Sequence, residues 1–416
     1  MAKRTFFSLR PDGISRNVWA SALTSFLNDV SSELIFTLMP LFLANVLGVS
    51  TVVIGFIDGL VETTSSFMKG FSGWLSDRLA NRKWLVVAGY GMSSLIKPVL
   101  YFVTSWYGVL VVRFIDRTGK GIRTSPRDAL IADSTDENHR GIAFGLHRAA
   151  DTSGAMLGLL IALWIVLLTQ SEALTLSRQT FQWLVIIGTV PSFLALFVLI
   201  VGIQEIRPQN SVNANGERIS PALPPSLKFS ALSKEFRLFL LIVAIFTIGN
   251  SSDGFIILRA QERGLSVAQV LGMLITFNFI YAFLAGPIGA WSDRIGRKRI
   301  ILGGWLIYGL VYLGLAFAET GAQIWVMYSL YGIYYAATQG TAKAVIADFV
   351  PMEQRGVAYG YYNAIVGFMA LPSSLLAGVL WQGIGDWDGF GPSAPFMVGA
   401  LLALLATTLF GLFLDA

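Results

Sequence analysis

The chain has 416 residues, of which 54% are hydrophobic and only 13% charged, with a mean hydropathy of +0.64 and a net charge of +5. That is too apolar for a soluble domain of this length and indicates an integral membrane protein rather than a nucleic-acid binder. The lack of cysteine excludes disulfides and thiolate metal sites, and two histidines, His139 and His147, leave little from which to build a metal centre.

Residues 1–16 are polar and basic, and the first apolar run is too long for the hydrophobic stretch of a cleavable signal peptide. Twelve apolar runs follow, and about 20 such residues cross a bilayer as a helix. The first is centred near Leu34 and carries Asp29 and Glu33. The second, near Val61, carries Asp58, Glu62 and Lys69. A loop reading GWLSDRLANRK, from Gly73 to Lys83, leads to the third run near Gly91, which holds Lys97. The fourth, near Val111, bears Arg113, Asp116, Arg117 and Lys120, then Arg123 and Arg127. The fifth, near Gly158, opens with His147, Arg148 and Asp151, and the sixth is centred near Ser192. A polar, proline-bearing stretch, 205–233, reads as a linker. The remaining runs are centred near Thr247, Phe277, Tyr308, Leu330, Gly367 and Leu404, with Asp253 in the seventh and Lys343 at the end of the tenth. A second loop, GAWSDRIGRKR from Gly289 to Arg299, separates the eighth and ninth.

The two loops are copies, and their first glycines lie 216 residues apart. Ile131-Ala132-Asp133 matches Ile346-Ala347-Asp348, Arg140-Gly141 matches Arg355-Gly356, and Ala143-Phe144-Gly145 matches Ala358-Tyr359-Gly360, all at an offset of 215. A repeat at half the chain length predicts an all-α membrane fold of two related six-helix bundles, 1–204 and 234–416, joined by the linker 205–233. With the N-terminus placed in the cytoplasm, twenty basic residues fall on the inner side and only Arg178, Arg259 and Arg263 outside. That bias predicts both termini and both loops in the cytoplasm of a prokaryotic plasma (inner) membrane.

The pattern GxLxDRxGRK between the second and third spans, its copy between the eighth and ninth, and the twelve spans with a central linker resemble the major facilitator superfamily over the whole chain. The second copy keeps Gly289, Asp293, Arg294, Gly296, Arg297 and Lys298. The first keeps Gly73, Leu75, Asp77, Arg78 and Arg82, with Ala80 where the family has glycine. The resemblance implies two six-helix bundles around a central cavity that opens alternately to either side. It also implies a cytoplasmic gate in which Asp77 faces the N-terminus of the eleventh span, near Pro351 to Arg355, where the helix dipole attracts a carboxylate. Gly73, Asp77, Arg78, Gly289, Asp293, Arg294 and Arg297 are the gate candidates; the plainer alternative is a hairpin turn with topology-setting charges. Arg113 stands where the family has an arginine linked to proton coupling, but Asp116-Arg117 departs from the family's Gln-Gly. The fifth span, SGAMLGLL from Ser153, lacks the proline of the antiporter motif. The overall look is closest to drug:proton antiporter-like members and uncharacterised prokaryotic permeases.

Ionisable residues at bilayer depth cost a few kcal/mol and face a cavity or a partner. Asp29 and Glu33, and Asp58 and Glu62, are spaced i,i+4; Asp116, Lys120, Arg123 and Arg127 form one stripe; His147 and Arg148 sit one turn before Asp151. Since spans 1, 2, 4 and 5 are neighbours in the family fold, these stripes are placed to form one network of mixed sign. Asp29, Glu33, Asp58, Glu62, Arg113 and Asp151 are the proton-coupling candidates, with Asp29 and Glu33 first. Paired charges that only fix packing are the alternative, above all for Arg113, Asp116 and Lys97. At the offset of 215 the second half answers with aromatic and amide groups. Its substrate-binding candidates are Asn250, Asn278, Tyr331, Tyr335, Tyr362 and Asn363, alongside Arg117, Lys120, His147 and Arg148 in the first half. Packing roles are the alternative for the tyrosines and His147, and Lys343 is placed to snorkel.

These features together predict a secondary active transporter working by alternating access: proton-coupled export of a small organic molecule by a monomer in the lipid bilayer, with no cofactor. Proton-linked uptake or exchange of an organic anion is the first alternative, and export of a metal or metal chelate the second. No nucleophile–base pair or metal cluster suggests an enzyme, GKG at Gly119 to Gly121 lacks phosphate-loop spacing, and no appended domain suggests a sensor.

Overall fold

A computed structural model describes residues 15–79, 82–136, 139–205, 229, 232–350 and 355–414. It contains twelve long helical segments: α1 (Arg16–Val46), α2 (Thr51–Leu79), α3 (Arg82–Phe102), α4 (Trp106–Asp133), α5 (Arg140–Gln170), α6 (Arg178–Gly202), α7 (Lys234–Glu262), α8 (Val267–Ile295), α9 (Arg297–Phe317), α10 (Gly321–Thr338, prolonged by Thr341–Phe349), α11 (Arg355–Gln382) and α12 (Ala394–Phe413). Nine of these, among the described residues, are long and apolar enough to cross a membrane. The other three are α2, α4 and α10, and the reason is chemical. The first two carry the charged stripes, and α10 carries Tyr328, Tyr331, Tyr334 and Tyr335. Polar content collects on the helices that line the interior.

Several helices are broken where the sequence withholds a backbone donor or offers a competing one. Pro40 follows a turn in α1, and the helix then widens into a π turn at Phe42–Val46. Pro98 turns the end of α3 into a 3-10 helix, Lys97–Phe102. In α7 the run Asn250-Ser-Ser-Asp-Gly interrupts the helix between Gly249 and Gly254, as expected where small polar side chains compete for backbone hydrogen bonds.

Helices α1–α6 and α7–α12 form two six-helix bundles. The first is packed through α1 against α5 and α6 and through α4 against α2 and α3; the second through α9 against α10 and α12, α8 against α10, and α7 against α11 and α12. The bundles meet along α2 and α11 and along α5 and α8. Their contact runs from the end remote from the duplicated loops to mid-height: the Thr51 N–H donates to Gln382 Oε1 (2.8 Å), the Thr51 hydroxyl to the Gly378 carbonyl (3.1 Å) and the Thr63 hydroxyl to the Gly367 carbonyl (2.7 Å). At that same end, Gln261 Nε2 reaches the Leu174 carbonyl (2.6 Å), and α1 packs on the second half of α7 through Met39–Leu41. Beyond Ser66, toward the duplicated loops, a cavity of about 760 Å³ separates α2 and α4 from α11.

Candidate functional site

The stripes on α1, α2 and α4 converge on one cavity of about 360 Å³ between the bundles. Its walls include Asp29, Glu33 and Phe36 from α1, Asp58 from α2, and Arg113, Asp116, Arg117, Lys120 and Arg123 from α4. Ser252 and Asp253 of α7, Phe277 and Asn278 of α8 and Tyr328 of α10 complete it. Arg113 Nη2 lies 2.8 Å from Asp58 Oδ1, and both side chains are under 10% exposed (8% and 9%). Placing such a charge in a low-dielectric site is tolerable when it is paired and hydrogen-bonded. The ring of Phe36 lies under three cations, with Arg113 at 5.2 Å, Lys97 at 5.8 Å and Arg117 at 5.9 Å from its centre.

The remaining charges are held more loosely. Asp29 accepts from Asn28 Nδ2 (3.3 Å) and Glu33 from the Thr37 hydroxyl (2.6 Å). Asp116 has Arg117 Nε at 4.0 Å. Lys97 is fully buried, and its ammonium donates to the hydroxyls of Ser31 (3.0 Å) and Ser32 (3.1 Å).

A second cavity of about 340 Å³ adjoins the first. It shares Asp58, Arg113, Arg117 and Asp253 and adds Glu62, Asn250, Tyr335 and Ser374. A third, of about 240 Å³, lies within the second bundle and continues from Asn250 to Phe246, Trp305, Tyr334, Gln339, Tyr362 and Asn363. The composite space is therefore charged at one end and aromatic and amide-lined at the other. Tyr331 is wholly buried among Tyr308, Tyr312, Tyr328 and Tyr334; its hydroxyl, with that of Tyr335, donates to Asp253 (3.1 and 3.2 Å). These two tyrosines orient a carboxylate, while Tyr362 and Asn363 face open space.

Asp151, His147 and Arg148 are not among the residues lining these cavities. His147 Nδ1 is 3.6 Å from Asp151 Oδ2, and Arg148 Nη2 reaches across the bundles to the Tyr281 hydroxyl (3.2 Å). Among the described residues, no group of three or more histidines and carboxylates is placed to hold a metal ion.

The loop motif is described only in part. The side chains of Asp77, Arg78, Asp293, Lys343 and Arg355, and all of residues 351–354, lie outside the described residues. Gly73 sits 3.5 Å, measured from where a Cβ would be, from Ser125 Cβ; a Cβ on Gly289 would meet nothing within 4 Å; Arg294 is exposed. What the structure adds is the reason the separated repeats belong together. Arg297 Nη1 bonds Asp348 Oδ1 (2.6 Å), and Arg82 bonds Asp133, so each loop is tied to the Ile-Ala-Asp triplet of its own half. Gly296 has φ +97°, a conformation that favours glycine, and links α8 directly to α9. The first copy has two residues there, Ala80 and Asn81, which accounts for the change of offset from 216 to 215. Glu205, at the end of α6, accepts from the N–H groups of Arg82 (3.0 Å) and Lys83 (2.7 Å), capping the start of α3.

Ser252 and Phe36 are new to the site, and Asp253 joins it as a central group. The signal for the α7 pair was legible: Asn250 to Gly254 is a polar, glycine-ended run within an apolar span, and such breaks line cavities. Phe36 carried no signal, because one phenylalanine among 29 is distinguished only by the cations placed over it.

The chain is 35% identical over 399 residues to an uncharacterised MFS-type transporter of Methanocaldococcus jannaschii, covering 94% of each. It is 24% identical over 362 residues to the multi-drug resistance efflux pump PmrA of Streptococcus pneumoniae, covering 83% of this chain and 86% of that one. Its fold superposes on the crystal structure of a D-xylose-proton symporter with a TM-score of 0.75 at 15% identity, over 96% of this chain and 98% of the other. The family model for the Major Facilitator Superfamily matches twice, at residues 21–274 and 238–416, and the chain belongs to that superfamily of multi-pass membrane transporters.

Proposed function

We propose that this transporter exports a small organic molecule by alternating access, in exchange for protons. The observation that carries the reading is the cavity between the bundles, where Asp58 is matched by Arg113 while Asp29 and Glu33 are held only by neutral hydrogen-bond donors. Carboxylates that meet a cationic partner or solvent in one state and not in the other exchange protons in step with the cycle. Export draws support from the likeness to a multidrug efflux pump, and the aromatic, amide-lined end suits the body of an organic molecule. The excess of basic residues on one side supports cytoplasmic termini in the plasma membrane of a prokaryote, and in that orientation the conformation is open inward. The chain acts as a monomer whose two bundles, 1–204 and 234–416, rock about the cavity, linked by 205–233.

The test is transport of a panel of aromatic cations and zwitterions in proteoliposomes with an imposed pH gradient. Accumulation against the substrate gradient, lost on collapsing the pH gradient and in Asp29→Asn and Glu33→Gln, is the expected result. Transport that ignores the pH gradient would overturn the coupling. Exchange of an organic anion is the second reading, favoured by Arg117 and Lys120 in the cavity wall; it requires organic anions, added to the same panel, to be transported instead.

A further inference from the structure

Among the described residues, Asp58 is the one cavity carboxylate that binds both halves. Oδ1 takes Arg113 Nη2 from its own bundle (2.8 Å), and Oδ2 takes the hydroxyl of Ser252 from the other (2.8 Å). Ser252 sits at the break in α7, where its side chain also accepts the Gly254 N–H (3.1 Å) and its own N–H donates to the Ser374 hydroxyl of α11 (3.2 Å). The fit is tight: a Cβ on Gly254 would lie 2.9 Å from both Asp58 Oδ2 and Pro40 Cγ. The next residue, Asp253, is anchored to the second bundle by Tyr331 and Tyr335. A continuous polar line thus runs Arg113–Asp58–Ser252, across the break in α7, to Asp253 and the two tyrosines. It lies within the closed contact between the bundles, which runs from the end remote from the duplicated loops past Asp58 to Thr63.

We propose that the Asp58–Ser252 hydrogen bond is the latch of that closed end, with Ser252 its positioning residue and the break in α7 its hinge. The inference rests on the alternating-access reading above and adds the residue pair that ties a cavity carboxylate to closure. This bond joins a carboxylate of one bundle to the other, so a charge change on Asp58 acts on the relation between them. A proton arriving on Asp58 gives a neutral carboxyl, a weaker acceptor for Ser252, and frees Arg113, which keeps its charge. The charged groups that share the cavities with Asp58 are Asp29 and Glu33 from α1, Glu62 from α2, Arg113, Asp116, Arg117, Lys120 and Arg123 from α4 and Asp253 from α7; α11 contributes Ser374. Glu62 and Asp116 are the carboxylates available to take Arg113 once Asp58 is neutral. A proton on Asp58 thus loosens the latch, and its loss tightens it.

The test needs no substrate. Since the chain has no cysteine, spin labels at Thr104→Cys and Glu319→Cys, exposed residues on the loops of the two bundles at the closed end, report their separation. Ser252→Ala and Asp58→Asn are expected to raise the population with a long distance roughly ten-fold, the effect of one hydrogen bond to a charged acceptor. Ser252→Thr, which keeps the hydroxyl, restores the short distance, and the melting temperature of Ser252→Ala stays near that of the parent. An unchanged distribution in both variants, or a Ser252→Ala effect that Ser252→Thr does not reverse, overturns the latch. If the variants open this end but the parent distribution is the same in acid and alkaline buffer, the latch stands and the proton-coupled reading falls.

Discussion

Gly55→Ala tests the closed contact through sterics alone. A Cβ built on Gly55 of α2 lies 2.1 Å from the carbonyl oxygen and 2.9 Å from the carbonyl carbon of Ser374 in α11. Contact between such atoms settles at about 3.5 Å, so the overlap exceeds roughly 1 Å. The obstacle is backbone, which no rotamer change relieves; α2 and α11 must separate. Overpacking of this kind costs about 1–3 kcal/mol, and since the strain exists only in the closed state, it shifts the equilibrium roughly 5- to 150-fold toward the state in which these helices part. In the doubly labelled protein the distance between Thr104→Cys and Glu319→Cys should lengthen, and transport should fall because the state closed at this end becomes scarce. Gly91→Ala is the control, since a Cβ there meets nothing within 4 Å. Combining Gly55→Ala with Asp58→Asn separates sterics from the latch, for the steric effect persists without the carboxylate. A Gly55→Ala protein with an unchanged distance and full transport would refute the assignment of α2 and α11 as a state-dependent contact.

Arg259→Ala should lower the melting temperature in detergent sharply. Its guanidinium is 1% exposed and donates to the carbonyls of Leu315, Ala316 and Ala318 and to the Ser393 hydroxyl, and three orphaned buried acceptors cost about 3 kcal/mol or more. Arg259→Lys should recover only part of the loss, because an ammonium cannot fork to several carbonyls; full recovery would count against this account. Arg82→Ala should destabilise more than Arg297→Ala, the repeat-related side chains being 13% and 35% exposed, with the second near the ~0.5 kcal/mol of a surface pair, read by thermal unfolding. Tyr331→Phe should weaken proton-driven transport while leaving the fold intact, since it removes one donor from Asp253 and no packing volume; equal rates for parent and variant would show that the hydroxyl is idle.

Much of the architecture was written in the chain because membrane insertion reads local features. Span length and a duplicated motif are contiguous in sequence, and a bilayer converts them directly into helices and two halves. The convergence of Asp29, Glu33, Asp58 and the α4 stripe was also legible, since i,i+4 spacing fixes a helix face and charge cannot face lipid. Arg259 marks the limit of that reasoning. As a residue it counted as one of three basic groups outside; in the fold it is a buried clamp on the end of α9.

Pairing between helices was beyond the sequence. Nothing local distinguishes Asp58, which took Arg113 and Ser252, from Asp29 and Glu33, which took uncharged donors. The tie from Arg82 to Asp133, and from Arg297 to Asp348, explains a repeat that sequence could only count. By itself the sequence determined twelve spans, two halves and a polar interior, because these follow from what a bilayer admits. Which charges share a partner, and that one end of the interface is closed, was decided by the tertiary structure: both depend on helix contacts between residues as far apart as Asp58 and Ser252, and the spacing of residues along one span reports nothing about its partner on another.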